Sequence, residues 1–250
     1  MGGRDNPTAT AAQHDDGQLA RVYIWMAGGA EAALDAGRIE VESLGLPHAP
    51  GDLVVDLGAG FGKHAVPLAE RGARVLAIDA SADLVASLRT LAGDLPIESV
   101  VDDLRAFACH LEEPADALLC MGDTVTHLPT VDDVDRLAGD ASSMLAPGGT
   151  LAFSFRDHSV ARSGTDRFVP VRSDDERLLT CFLEFDAELV HVHDILQERT
   201  AAGWQTRVSV YPKLRLAPDR LIARLDELGF MVRRDADAGG MVRVVATKPR

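Results

Sequence analysis

The stretch "VVDLGAGFGKHAVPLAERGARVLAIDAS", residues 54–81, sets Gly58, Gly60 and Gly62 directly after one apolar run and the acid Asp79 at the end of the next. Glycine lets a backbone take positive φ and approach a ligand closely. A carboxylate 19 residues beyond Gly60 can accept hydrogen bonds from both hydroxyls of a ribose. Together they suit a nucleoside held across the carboxyl ends of neighbouring parallel strands. The spacing is G-x-G-x-G rather than the dinucleotide fingerprint G-x-G-x-x-G, which disfavours a nicotinamide-dependent oxidoreductase. A tight turn, with Asp79 capping the next helix, is the plainer alternative.

Asp123 and His127 share the segment "CMGDTVTHLPT". The acid could orient or neutralise an amine, and the histidine could take its proton near neutral pH. Loop capping and packing of His127 on its own backbone compete with those roles. Arg156, just past "TLAFSF", suits a carboxylate or phosphate, or equally a surface ion pair in so acidic a chain. His191 and His193 fall on one face of a strand, but no third ligand stands at recognisable spacing and no metal site is expected. With Tyr211 and Trp204 they are read as lining an antiparallel cover over a substrate. Tyr23 and Trp25, upstream of the glycines, would lie over the ligand or pack in the core.

The elements that must position these residues alternate. Helices are read at roughly residues 18–26 and 30–44, a strand at Leu53–Leu57, a helix at Gly62–Arg71 and a strand at Arg74–Ile78. Ser81 caps a helix with Leu84, Leu88 and Leu91 inward. "IESVV" and "DALLCM" are further strands, Thr130 with Asp133 opens another helix, and "TLAFSF" follows the turn "APGG". That rhythm implies an α/β, doubly wound, mostly parallel seven-stranded sheet. It breaks at residues 157–176, read as irregular; Arg177–Asp186, Glu188–Glu198 and Gln205–Leu216 then read as three antiparallel strands. The organisation expected is a disordered tail at 1–17 and one domain at 18–250, with an inserted lid at about 157–216. Pro218 opens a last helix stopped by Gly229, before two final strands.

The formal net charge of −14 repels phosphate backbones and anionic lipid, so nucleic acid and membranes are not expected partners. No apolar run approaches a membrane span, and the N-terminus lacks a signal-peptide pattern. Three isolated cysteines, Cys109, Cys120 and Cys181, suggest neither a disulfide framework nor a zinc cage. A bacterial, cytoplasmic protein acting on a small molecule is the expectation; a homo-oligomer is compatible with it.

"VVDLGAGFGKHA", "VLAIDAS", the acid pair in "VVDDLRAF" and "MLAPGGTLAFSF" resemble successive motifs of the class I S-adenosylmethionine-dependent methyltransferases. The resemblance runs from about Leu53 to Phe155 and resumes in the last helix and strands. It implies a Rossmann-like fold with S-adenosyl-L-methionine as cofactor. Asp56 would organise the methionine end beside Gly58, Ala59 and Gly60. Asp79 would hold the ribose and Ala80 would pack on the adenine. Asp103, with the Leu104 amide nearby and Asp102 as the competing register, would take the adenine amino group. Met121, Gly122 and Tyr23 would complete the cofactor site. "GQLARVYIWMAGG", "CMGDTVTHLPT" and "VSVYPKLRLAP" look similar to segments of glycine N-methyltransferase and related small-amine enzymes. That likeness implies Arg156 as a clamp for a substrate carboxylate and methyl transfer to the nitrogen of an amine or amino-acid-like metabolite. Substrate contacts are expected from Arg156, Tyr211, His193 and Trp25, and catalytic roles from Asp123 and His127. Transfer to oxygen or carbon, and cofactor binding without catalysis, are the competing functions.

Overall fold

The computed structural model describes residues 20–236 and 240–250; the expected tail at 1–17 lies outside them. Helices α1 (Ala20–Met26) and α2 (Ala30–Leu44) precede the sheet. Then follow β1 (Leu53–Leu57), α3 (Ala65–Glu70), β2 (Arg74–Asp79), α4 (Ala82–Ala92), β3 (Ile97–Val101) and β4 (Ala115–Cys120). Helix α5 (Val131–Met144) and β5 (Leu145–Phe155) lead into β6 (Phe168–Ser173), β7 (Arg177–Phe185), β8 (Leu189–Thr200) and β9 (Gly203–Leu214). Helix α6 (Pro218–Glu227), β10 (Met231–Ala236) and β11 (Val242–Thr247) close the chain.

The main sheet has seven strands in the order β10-β11-β5-β4-β1-β2-β3. Its β5-β4-β1-β2-β3 part is parallel, and β11 runs antiparallel to both β5 and β10. This is the doubly wound, mostly parallel architecture that alternating strands and helical periods imply. Chain order reverses at β1, between β4 and β2, and a ligand crevice forms at such a point outside the carboxyl ends. One apolar layer joins Val55, Leu57, Ile78, Leu118 and Phe153 to α5 and α6, and the other joins Val54, Val75 and Leu119 to α2 and α3.

Several local signals act as expected. Ser81 Oγ accepts the Leu84 N–H, and Thr130 exchanges hydrogen bonds with Asp133 at the start of α5. Other readings need correction. The helix expected from Gly62 begins at Ala65, because residues 60–64 form turns around the glycines. The "APGG" segment belongs to β5, which continues through it. The lid has four strands, in the order β6-β7-β8-β9, rather than three. Its extra strand β6 lies in the polar stretch read as irregular; edge position lets most of its side chains face water, so apolar alternation is faint.

Helix α2 holds the glycine turn from behind. Ala33, Gly37, Val41 and Leu44 form its buried stripe. A Cβ on Gly37 would lie 1.8 Å from the Lys63 carbonyl oxygen, so only glycine allows this approach. One turn later, Glu40 binds Lys63 Nζ at 2.6 Å and His64 Nε2 at 2.7 Å. Burial opposes the Glu40 charge, yet the His64 and Lys63 partners outweigh it and hold the carboxyl at about 2. We expect Gly37→Ala to destabilise the fold by about 2–3 kcal/mol through overpacking, lowering Tm by roughly 5–10 °C in a chain of this size. An unchanged Tm in calorimetry would contradict the close approach.

Candidate active site at the carboxyl edge of the sheet

Strand β1 delivers Asp56 and the glycine turn. The Gly58 and Ala59 N–H groups both donate to the Ile78 carbonyl, at 2.8 and 3.0 Å, which ties the turn to β2. Gly58 has φ +73°, and a Cβ there would meet Thr124 Cγ2 at 2.3 Å. The loop after β4 therefore closes directly over the turn. On the other side Tyr23 of α1 lies over Gly60, and its ring meets Phe61 edge-on at 5.7 Å.

Asp79 ends β2 with both carboxylate oxygens engaged. Oδ2 accepts the Gly60 N–H at 2.7 Å and Oδ1 accepts the Ser81 N–H at 2.9 Å. These two bonds fix its plane. Asp56 is buried, and its Oδ2 has no hydrogen-bond partner among the described residues. Burial pushes its carboxyl up to about 6, helped by the Asp79 charge and opposed by His64. A buried acid with one oxygen unpartnered among the described residues, a locked carboxylate and a glycine-rich turn fit a ligand bearing both an ammonium group and sugar hydroxyls.

At β3 the two acids diverge. The Asp102 N–H donates to the Asp79 carbonyl at 3.1 Å, and its carboxylate meets the Asp103 N–H and His110 Nε2 at 2.8 Å each. Asp103 is exposed, caps the short 3-10 turn Leu104–His110 and is gripped by Arg105. Ala80 is exposed, Leu104 half-buried, Met121 buried and Gly122 exposed along the same rim.

A second cluster of polar residues is built where β4, β5 and the lid meet. The Gly122 and Asp123 N–H groups donate to Ser154 Oγ and O, at 2.8 Å each, stapling the loop to β5. Asp123 has φ +81°, a left-handed conformation that is uncommon outside glycine. Its Oδ1 accepts the Arg156 N–H at 2.9 Å; its Oδ2 accepts Lys213 Nζ at 2.6 Å and Arg156 Nη1 at 3.2 Å. Burial would raise this carboxyl, but the Lys213 and Arg156 charges prevail and hold it well below the usual carboxylate range. Its charge is thus matched within the protein, which makes it a loop anchor and a poor proton acceptor. Arg156 shares its guanidinium with that anchor, and its side chain is half exposed. His127 ends the short 3-10 turn Thr124–His127, and its ring stacks on Tyr211 with centroids 5.4 Å apart and planes within 10°.

Strand parity sorts the lid residues. Tyr211 and Lys213 face inward with Val190, Val192 and Asp194. His193 faces outward, paired with Glu184 at 3.1 Å, and Trp204 is exposed on that outer face. The expectation that they share a face with Tyr211 is corrected, since alternation puts them on the opposite one. His191 is also outward, beside Asp186. Trp25 donates to Asp174 and packs under Arg177 and Arg172, which makes it a strut between α1 and the lid. Two buried residues of the site have no role in the sequence reading. Lys213 lies inside the stretch "VSVYPKLRLAP" and is one of three lysines in an arginine-rich chain. His158 is lowered to about 4, first by burial and further by Lys213, Arg156 and Arg162, with Asp123 opposing. Among the described residues, no cluster could hold a metal ion and no helix is long and apolar enough to cross a membrane.

Residues 54–149 match the family model described as a methyltransferase domain. Among curated proteins, the chain is 28% identical over 109 residues to a glycine/sarcosine N-methyltransferase of Aphanothece halophytica, covering 43% of this chain and 41% of that one. It is 34% identical over 107 residues to a ubiquinone biosynthesis O-methyltransferase of Xanthomonas campestris, covering 42% and 43%. The chain thus spans about two fifths of the length of these relatives. Among solved structures, it resembles the amino pentose methyltransferase CalS10 of Micromonospora echinaspora, with TM-score 0.73, 18% identity and coverage of 98% and 100%. It also resembles the CcbJ methyltransferase of Streptomyces caelestis, with TM-score 0.75, 22% identity and coverage of 96% and 99%. Residues 54–149 thus match a methyltransferase domain, and the fold as a whole resembles that of solved methyltransferases.

Proposed function

We propose that the protein transfers the methyl group of S-adenosylmethionine to the nitrogen of a small-molecule amine. The observation that carries this reading is Asp79, a buried carboxylate fixed by the Gly60 and Ser81 N–H groups beside a glycine turn whose far wall holds Asp56. S-adenosylmethionine supplies a methyl group already activated on a sulfonium. Asp79 binds the ribose, Asp56 faces the ammonium end, and Asp102 or Asp103 with the Leu104 amide takes the adenine amino group. Ala80, Met121, Gly122 and Tyr23 close around the nucleoside and exclude water.

Positioning and desolvation account for most of the catalysis such a site needs. An amine must still lose a proton to expose its lone pair. His127 stands at the lid boundary, ring-stacked on Tyr211, and serves as the base. Asp123 holds its loop, and Arg156 at the pocket mouth meets an anionic substituent of the acceptor. Nitrogen is favoured over oxygen because solved neighbours include an amino pentose methyltransferase and the sugar N-methyltransferase KedS8, and a curated relative acts on glycine and sarcosine. The ubiquinone O-methyltransferase similarity keeps a hydroxyl acceptor as the second reading.

Two outcomes test the proposal. Incubated with methyl-labelled S-adenosylmethionine and matched panels of amino sugars, amino acids and their hydroxyl counterparts, the protein labels amines. His127→Gln lowers that turnover by about 10²–10⁴-fold while cofactor affinity holds. Cofactor binding with no transfer to any panel, or transfer only to hydroxyls, would reject the nitrogen assignment. The second outcome concerns pH. Asp56 is neutral below about 6 and must release a proton to face an ammonium group. Affinity for S-adenosylmethionine therefore weakens by about tenfold per pH unit below that point, and Asp56→Asn removes the dependence. A flat wild-type profile in calorimetry between pH 5 and 7, roughly bracketing that value, would exclude Asp56 from the ammonium end.

A further inference from the structure

We infer that Lys213 is a positioning residue for the acceptor side of the site: through Asp123 it holds the loop that sets the His127 ring. The inference rests on the methyltransferase reading only for the reaction that it serves. Tyr211 and Lys213 are two apart on β9 and so share the inner face of the lid. Tyr211 stacks on His127, and Lys213 binds Asp123. Asp123 and His127 are the first and last residues of one tight segment, Asp123 preceding the 3-10 turn and His127 ending it. One lid strand therefore grips one catalytic loop at both ends.

The pair is buried, with side-chain exposures of 9% for Lys213 and 3% for Asp123. A buried ion pair adds little net stability, because dehydrating both charges offsets their attraction. What it fixes is position. Arg156 already meets Asp123 from β5 with a backbone N–H and a guanidinium nitrogen. Thr126 Oγ1 meets the Asp123 carboxylate from the same loop, and Lys213 adds the bond from the lid, so among the described residues Lys213 alone of the carboxylate's partners relates the two sheets. Asp123 also holds a left-handed backbone, φ +81°, which persists where surrounding contacts over-determine it. Released from Lys213, the loop can turn about that residue and His127 leaves the Tyr211 face. Lys213 Nζ lies 5.7 Å from the Tyr211 ring centroid, so the two ends of the grip also touch each other.

The test is solution NMR on the full chain. The His127 imidazole resonance is assigned by its absence in His127→Gln, and Tyr211→Leu marks its unstacked position. Lys213→Met is expected to move the resonance to the unstacked position, and Lys213→Arg to restore most of the stacked shift. In parallel, cofactor affinity stays within about twofold while transfer from labelled S-adenosylmethionine to amines falls about a hundredfold, the scale of a misplaced reacting group. If Lys213→Met does not fold, the double variant Asp123→Asn/Lys213→Met, which removes both buried charges, gives the same readout. A His127 resonance that stays at the stacked position in whichever of these variants folds overturns the inference. Failure of the wild type to bind S-adenosylmethionine would instead strike the functional reading, and the resonance shift would still judge the grip.

Discussion

The site depends on one bridge, the Asp79 carboxylate spanning the tip of β2, the glycine turn after β1 and the start of α4. Its bonds to Gly60 and Ser81 set the height of the turn above the sheet and the direction in which acceptor oxygens point. A fixed carboxylate is worth more to a ligand than a mobile one, because its orientation is settled before binding. The same charge acts on Asp56, which burial and Asp79 together raise to about 6. Two neighbouring acids in a poorly solvated crevice make a site that favours cationic ligands, and S-adenosylmethionine carries both a sulfonium and an ammonium.

Around that bridge the remaining parts divide by task. Helix α2 supports the turn from below, through Gly37 at the Lys63 carbonyl and Glu40 on Lys63 and His64. Tyr23 and Thr124 close on it from two sides. The acceptor wall is a separate construction in which lid strand β9 meets the loop after β4. Its ion pairs use Asp123 as a hub between β5 and the lid, and the lid's inner face is otherwise largely apolar. In the proposed reaction such a wall would keep water from the methyl path, with His127 and Arg156 at its edge.

The parallel core was legible because each strand and helix carries a local signal. Apolar runs end at Asp56–Leu57, Asp79 and Cys120, Ser81 and Thr130 cap helices, and the glycines mark the turn. Asp79 could be placed from spacing alone, since β2 runs in register beside β1. The lid was less legible, for two physical reasons. Strand β6 is an exposed edge whose polar residues hide its alternation, and strand parity by itself does not say which face is inner. The sequence therefore allows His193 beside Tyr211, and the docked sheet turns it to the opposite face. Asp123 was visible as a residue with chemistry, but its partner Lys213 stands 90 residues later. Only the docking of two sheets brings them together, and no local pattern encodes that meeting.

The most direct test of the bridge is calorimetric titration of S-adenosylmethionine into the wild type and into Asp79→Asn, with the thermal midpoint of each recorded. The account expects the variant to fold and to bind about ten- to a hundredfold more weakly, the loss of charge-assisted hydrogen bonds of about 1.5–3 kcal/mol. Equal affinity in a folded Asp79→Asn protein would contradict it, since the ribose would then be held elsewhere.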